Sequence, residues 1–268
     1  MTNKTKAPVT PVKKPFLQGN PTDERTLKGA AGFFGALLLI ALMTFIVSSA
    51  LNLENDILRI LLNAAVEAVI LLVMYNNAVG RGTDAVARGE ILYQRKEKGR
   101  EFRESEQAVC FHPLKGYLIG FLGTLPLLLC AIVLAIITRR QTTGIGALPG
   151  WLTAFQSRSE VGDALVAYTV TEGITAENIL RVIVRVMVMP FVSMAGSENR
   201  EGLLLVERLS PLLVLLPAIA YGTGYLQGKK EREKILTGIA QSNRNRARKE
   251  RRERKARAAK PTGPRQLN

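Results

Sequence analysis

Histidine is almost missing from this chain of 268 residues: His112 stands alone. A zinc centre assembled from His and Cys clusters has too few ligands to draw on. A hydrolase built around a histidine base is equally hard to assemble. Cysteine is also scarce, with Cys110 in a charged stretch and Cys130 in an apolar run. The two fall at different levels, so the disulfide framework of a small secreted domain is excluded. The sequence has no GxxxxGK[ST] loop, no HExxH, no GxSxG and no dinucleotide fingerprint. Each of those motifs supplies geometry that its chemistry requires. Their absence points away from an enzyme, and no cofactor or metal is expected. No repeat of 20–50 residues is visible either.

What is present is strongly segregated. The overall hydrophobic fraction is 47%, ordinary for a soluble protein, yet the apolar residues are gathered into blocks and the charges into others. Four blocks of about 20 residues are long enough to cross a ~30 Å hydrocarbon layer at 1.5 Å per residue. They are 30–51, 57–77, 116–137 and 209–228. The expected fold is therefore all-α: a polytopic helical membrane protein with four transmembrane helices. Residues 1–29 form an N-terminal tail, 30–228 the bundle and 229–268 a C-terminal tail. Between spans lie an inner loop, 79–115, and an outer segment, 138–203. About 29 hydrophilic residues precede the first apolar block. That is longer than a secretory n-region, so a retained helix is expected despite Ser48-Ser49-Ala50.

A fifth stretch, 176–195, is apolar but carries Arg181 and Arg185 four apart and is broken by Pro190. Thr175 suits an N-cap and Ile174 could staple onto Ile179. The distribution of basic residues argues against a fifth crossing. The N-tail holds six Lys/Arg, the stretch 79–115 eight and the C-tail fifteen, whereas the turn 52–56 holds none. Basic residues are retained on the cytoplasmic side. Four crossings place all three basic regions there, in a bacterial cytoplasmic membrane with both termini inside. The stretch 176–195 is then an interfacial or re-entrant helix on the outer side. Trp151 and Tyr168 suit interfacial anchors.

Within the second span Arg59, Asn63 and Glu67 recur every four residues and share one helix face. An ionisable group at the depth of Glu67 must face protein or water. One reading is a contact for an ion, proton or substrate, with Arg181, Arg185 or Arg208 as charge partner. The blander reading, and the favoured one, is a polar clamp between helices, with Arg59 snorkelling outward. Gly116, Gly120 and Thr124 form a small-residue stripe on the third span, and Gly224 and Gly228 form one on the last. Both suit close helix packing.

The C-tail carries Arg244, Arg246, Arg248, Lys249, Arg251, Arg252, Arg254, Lys255 and Arg257, with a net charge of +11 over 229–268 (fifteen Lys/Arg less four Glu). Ile235, Leu236, Ile239 and Ala240 mark a short apolar face before it. Such a run suits anionic lipid headgroups first, in addition to the bilayer itself. RNA or ribosome contact comes second, and no aromatic residue is present there to stack bases. A protein partner or a homo-oligomer is also compatible. The first expectation is a non-enzymatic scaffold or accessory subunit. The alternatives are a small transporter or channel component using Glu67, and an insertion or assembly factor whose basic tail touches ribosomes.

Overall fold

A computed structural model describes residues 12–51, 53–138, 176–196 and 199–258. All regular structure among them is helical. The helices are α1 (Glu24–Ala50), α2 (Asp56–Glu97), α3 (Glu104–Gln107), α4 (Lys115–Ile137), α5 (Ala176–Met187), α6 (Met189–Ala195) and α7 (Arg200–Ala258). Four of them, α1, α2, α4 and α7, are long and apolar enough to cross a membrane. The expected anchors Trp151 and Tyr168, the expected cap Thr175 and most of the outer segment lie outside the described residues.

Local chemistry fixes the helix starts. Asp23 caps α1 by accepting from the Glu24 amide at 2.8 Å, and Asn55 caps α2 by accepting from Leu58 N at 3.2 Å. Both short side chains satisfy amides that a helix start leaves without partners. Gly99 ends the α2 region with a φ of 69°, the left-handed conformation that costs glycine least.

The four long helices run alternately up and down. Close contacts set the register. Gly29 lies against Ile119, and Gly123 against Ala30 and Phe33, so α1 and α4 run in parallel. Gly224 meets Tyr75, and Gly228 meets Gly82, so α2 and α7 are also parallel. Gly116 meets Tyr225 and Gly120 meets Ala218, which makes α4 antiparallel to α7. One end of the bundle, the head end, therefore holds the α1–α2 turn, the last residues of α4 and the start of α7. The opposite end is the tail end. The core between them includes Phe33, Leu37, Met74, Ala78, Leu127, Leu134, Val214 and Tyr221.

Two stretches differ from the expected layout. The dense mixed charge within 79–115 suits a solvated helix of its own, whereas the structure has α2 continue unbroken through 79–97 for a total of 42 residues, with one face buried. Its buried residues Ala78, Gly82, Ala85, Val86, Gly89 and Leu92 recur at helical spacing, and this stripe holds the extension on its neighbours. Likewise 229–258 is no separate tail. It is the continuation of α7, a single helix of 59 residues despite Pro211 and Pro217.

The N-terminal segment is also more than a loose tail. Leu17 N donates to Gly89 O and Gly19 N to Phe111 O, both at 3.1 Å. Phe16 packs edge-on against Phe111, and Val12 N donates to Thr237 Oγ1. Residues 12–19 thus form a strap over the tail-end extensions of α2 and α7. A side chain at Gly89 would collide with Leu17 O, which explains the glycine.

The stretch 176–195 forms two helices bent by 96° at Val188. Both ends of this pair meet the head end. Arg181 lies beside Thr138, the cap residue of α4, and beside Glu207. At the other end Ser193 Oγ donates to Ser48 O, and Gly196 sits against the Arg59 guanidinium. The pair enters and leaves at one end of the bundle, with α5 packed on α1, α4 and α7 and α6 seated between α1 and α2.

Candidate functional site

The polar groups of the bundle gather at three levels. At the head end lies a buried ionic cluster. Glu207 of α7 is 2% exposed and Arg181 of α5 is 3% exposed. Arg185 donates to Glu207 Oε1 from Nε at 2.8 Å and contacts it through a terminal guanidinium nitrogen at 2.6 Å. Arg181 Nε stands 3.0 Å from the same oxygen, an ionic contact that is not aligned as a hydrogen bond. Arg181 also donates to Glu177 at 2.8 Å, and the Thr138 hydroxyl donates to Glu207. Among the described residues two guanidinium groups face two carboxylates, so their formal charges cancel. Such pairing is what makes burial of these ions tolerable.

Arg181 and Arg185 are thus partners of Glu207 and not of Glu67. Arg208, the third expected partner, is exposed. Glu207 was not singled out from the sequence.

Below this cluster is Glu67, half-buried on α2. It borders a cavity of about 30 Å³ together with Leu37, Ala41 and Thr44 of α1, the α5–α6 turn at Met187, Val188 and Pro190, and Leu213, Val214 and Pro217 of α7. That volume holds about two waters. Arg59 and Asn63 share the helix face of Glu67 but turn elsewhere. Arg59 pairs with Asp56 at 2.7 Å and donates to Leu53 O. It points back toward the start of its own helix. Asn63 is fully buried and donates to Arg59 O of its own helix at 2.9 Å. The interhelical polar clamp made by Asn63 and Glu67 is not among the described contacts. Glu207 makes that clamp at the head end, and Glu90 makes it at the tail end.

At the tail end α2 and α7 approach so closely that glycines are required. A Cβ at Gly82 would stand 2.3 Å from Tyr225 O, and one at Gly224 2.3 Å from Tyr75 O. Further along, the buried Glu90 accepts from Arg232 in a two-pronged pair, with distances of 2.8–3.2 Å. Gly116 and Gly120 of α4 face α7, and Thr124 is buried with its hydroxyl turned back to Gly120 O. Cys110 is buried beside this end, and burial pushes its thiol up from its ordinary pKa. The thiol therefore stays protonated at neutral pH, with little nucleophilic character.

Beyond Ala240 the last helix has no neighbours among the described residues. Every residue from Gln241 to Lys255 is exposed, including Arg244, Arg246, Arg248, Lys249, Arg251, Arg252, Arg254 and Lys255. Arg257 lies on the same helix. Among the described residues no group of three or more His, Cys, Asp or Glu gathers as metal ligands would. No protein-family model, curated protein or solved structure matches the chain.

Proposed function

We propose that this protein is a multi-pass protein of a bacterial cytoplasmic membrane that acts as a non-enzymatic scaffold, holding a basic helical arm in the cytoplasm. The observation that carries this reading is the continuity of α7. The helix that lies in the bundle and the helix that bears the basic residues are one, clamped to α2 by Gly82, Gly228 and the Glu90–Arg232 pair. An arm so attached has its direction fixed by the bundle.

A membrane setting is supported by what the bundle leaves uncovered. Leu39, Leu42, Met43, Leu61, Leu72, Ile136 and Leu212 are all exposed on the four long helices. An apolar surface of that extent is rare on soluble monomers and ordinary against lipid. The tail end collects Arg25, Lys28, Arg95, Lys96 and Lys98, whereas the α1–α2 turn carries Glu54 and Asp56. By the retention of basic residues the tail end is cytoplasmic. The bent pair α5–α6 then dips into the bilayer from the outer face, with its backbone shielded by the four long helices, as irregular backbone at such depth requires.

The competing reading is a transporter component using Glu67, and the turn of the re-entrant pair beside that residue is what favours it. Against it stand the small volume of the cavity and its mostly apolar lining. Proteoliposomes containing the full chain test the choice. Under an imposed pH gradient or potential, proton flux is expected to match protein-free vesicles, with Glu67→Gln indistinguishable from the parent. A flux above background that Glu67→Gln abolishes would overturn the scaffold in favour of transport.

A further inference from the structure

We infer that one face of the arm binds the phosphate backbone of nucleic acid, at a distance from the lipid surface and without reading bases. The inference rests on the scaffold reading and names the partner class of its arm. It follows from where the unbroken helix puts the charges. If the apolar part of α7 ends near Gly228, Arg244 lies about 24 Å beyond it and Lys255 about 40 Å, at 1.5 Å per residue. The potential of an anionic leaflet decays over a Debye length of about 8 Å at physiological ionic strength. The headgroup layer occupies about 5–7 Å of that distance, so at Arg244 the potential has fallen to about 10% of its surface value on that decay. A helix that leaves the bundle along its own axis therefore carries these residues out of reach of headgroups.

The charges are also arranged around the helix. At 100° per residue, Arg244, Arg248, Arg251, Arg252 and Lys255 fall within an arc of about 100°. Glu250 and Glu253 project from the other side. The result is an acid-free basic face about 17 Å long. Four of its five cations are arginines, whose planar fork suits phosphate oxygens. A protein partner is a poorer fit. Between Gln241 and Ala258 the largest apolar side chain is alanine. Protein interfaces draw most of their energy from buried aromatic and large aliphatic anchors, and the arm offers none. The same lack of aromatics removes base stacking, which leaves backbone contact driven by counterion release.

The test uses the full chain in nanodiscs of neutral lipid, with a fluorescent 30-nucleotide RNA hairpin and a 30-base-pair DNA duplex as probes, read by anisotropy from 50 to 200 mM salt. Both probes are expected to bind, with log K falling against log salt with a slope of about −4.5 for the duplex, as about five phosphate contacts give. Unequal binding of the two probes identifies which nucleic acid is the source of the phosphates. The variant R244Q/R248Q/R251Q/R252Q/K255Q is expected to lose at least tenfold in affinity at 50 mM salt and most of the slope. All five positions are exposed, so the fold is not at stake. The off-face variant R246Q/K249Q/R254Q is expected to keep most of both. No binding at 50 mM salt, equal loss in the two variants, or equal affinity for a 30-residue polyglutamate would overturn the proposal. So would loss of RNA binding on moving to nanodiscs with 30% anionic lipid, which would mean that the arm lies on headgroups. A spin-label pair at Lys98 and Ser242 in the same nanodiscs reports on the scaffold separately. A narrow distance distribution without nucleic-acid binding defeats this inference alone, whereas a broad one defeats the rigid arm itself.

Discussion

Glu207→Ala is expected to cost about 3–5 kcal/mol of stability, the usual result of stripping one partner from a buried ion pair. Arg181 is 3% exposed, and without Glu207 its one remaining counter-ion among the described residues is Glu177, whose side chain is 39% exposed. Arg185 and the Thr138 hydroxyl lose the same acceptor. The midpoint of SDS-induced unfolding in mixed micelles reads the loss. Glu177→Ala is the matched control and should cost no more than about 1 kcal/mol, because solvent already screens that pair. The triple variant Glu207→Leu with Arg181→Met and Arg185→Met should regain much of the stability, since it leaves no buried charge unpaired and the carboxylate it strips of a partner, Glu177, is part-exposed. A loss below about 1 kcal/mol for Glu207→Ala would show that water reaches the cluster and carries part of its charge.

The second large effect is expected at Gly82. A valine there would place its Cβ 2.3 Å from Tyr225 O and 3.1 Å from the carbonyl carbon of Tyr225. Both atoms are backbone, so no rotamer change relieves the clash and α2 and α7 must separate. A loss of at least about 3 kcal/mol is expected, at the upper end for overpacking. The Glu90–Arg232 pair lies two turns further along the same contact, so the arm should become mobile as well. Gly80 is two residues away and has nothing within 4 Å of its ideal Cβ. Gly80→Ala should therefore be neutral or stabilise by up to about 1 kcal/mol through helix propensity. Equal behaviour of Gly82→Val and Gly80→Ala would contradict the close approach of the two helices.

The contrast between these positions shows what could be read from the sequence. The apolar blocks 30–51 and 116–137 correspond closely to α1 and α4, because an uncharged run of that length has few alternatives. The extensions of α2 and α7 were harder to read. Their buried stripes, Ala78 to Leu92 on α2 and Tyr221 to Leu236 on α7, consist largely of small or isolated apolar residues amid dense charge. Such residues add little to any hydropathy average, and only their three- and four-residue spacing reveals a face. Glu207 resembled a flanking acid beside Arg208. Its burial is imposed by α5, which is distant in sequence, and no local pattern announces it. The face shared by Arg59, Asn63 and Glu67 was legible, since helical periodicity is enough to find it. Their partners were not, because partner choice depends on the bend at Val188 and on how the bent pair α5–α6 packs against the long helices.

The central claim is that both the helix-pair extension and the arm stand on the cytoplasmic side while the α1–α2 turn faces outward. Labelling of single cysteines in intact cells with a membrane-impermeant maleimide, at Glu54, Asn199, Lys98 and Ser242 in a C110S/C130A background, tests it most directly. All four positions are exposed in the structure. Glu54→Cys and Asn199→Cys are expected to label from outside, and Lys98→Cys and Ser242→Cys only after permeabilisation. Labelling of Ser242→Cys in intact cells, or Lys98→Cys and Ser242→Cys on opposite sides, would contradict the four-crossing bundle and the cytoplasmic arm together.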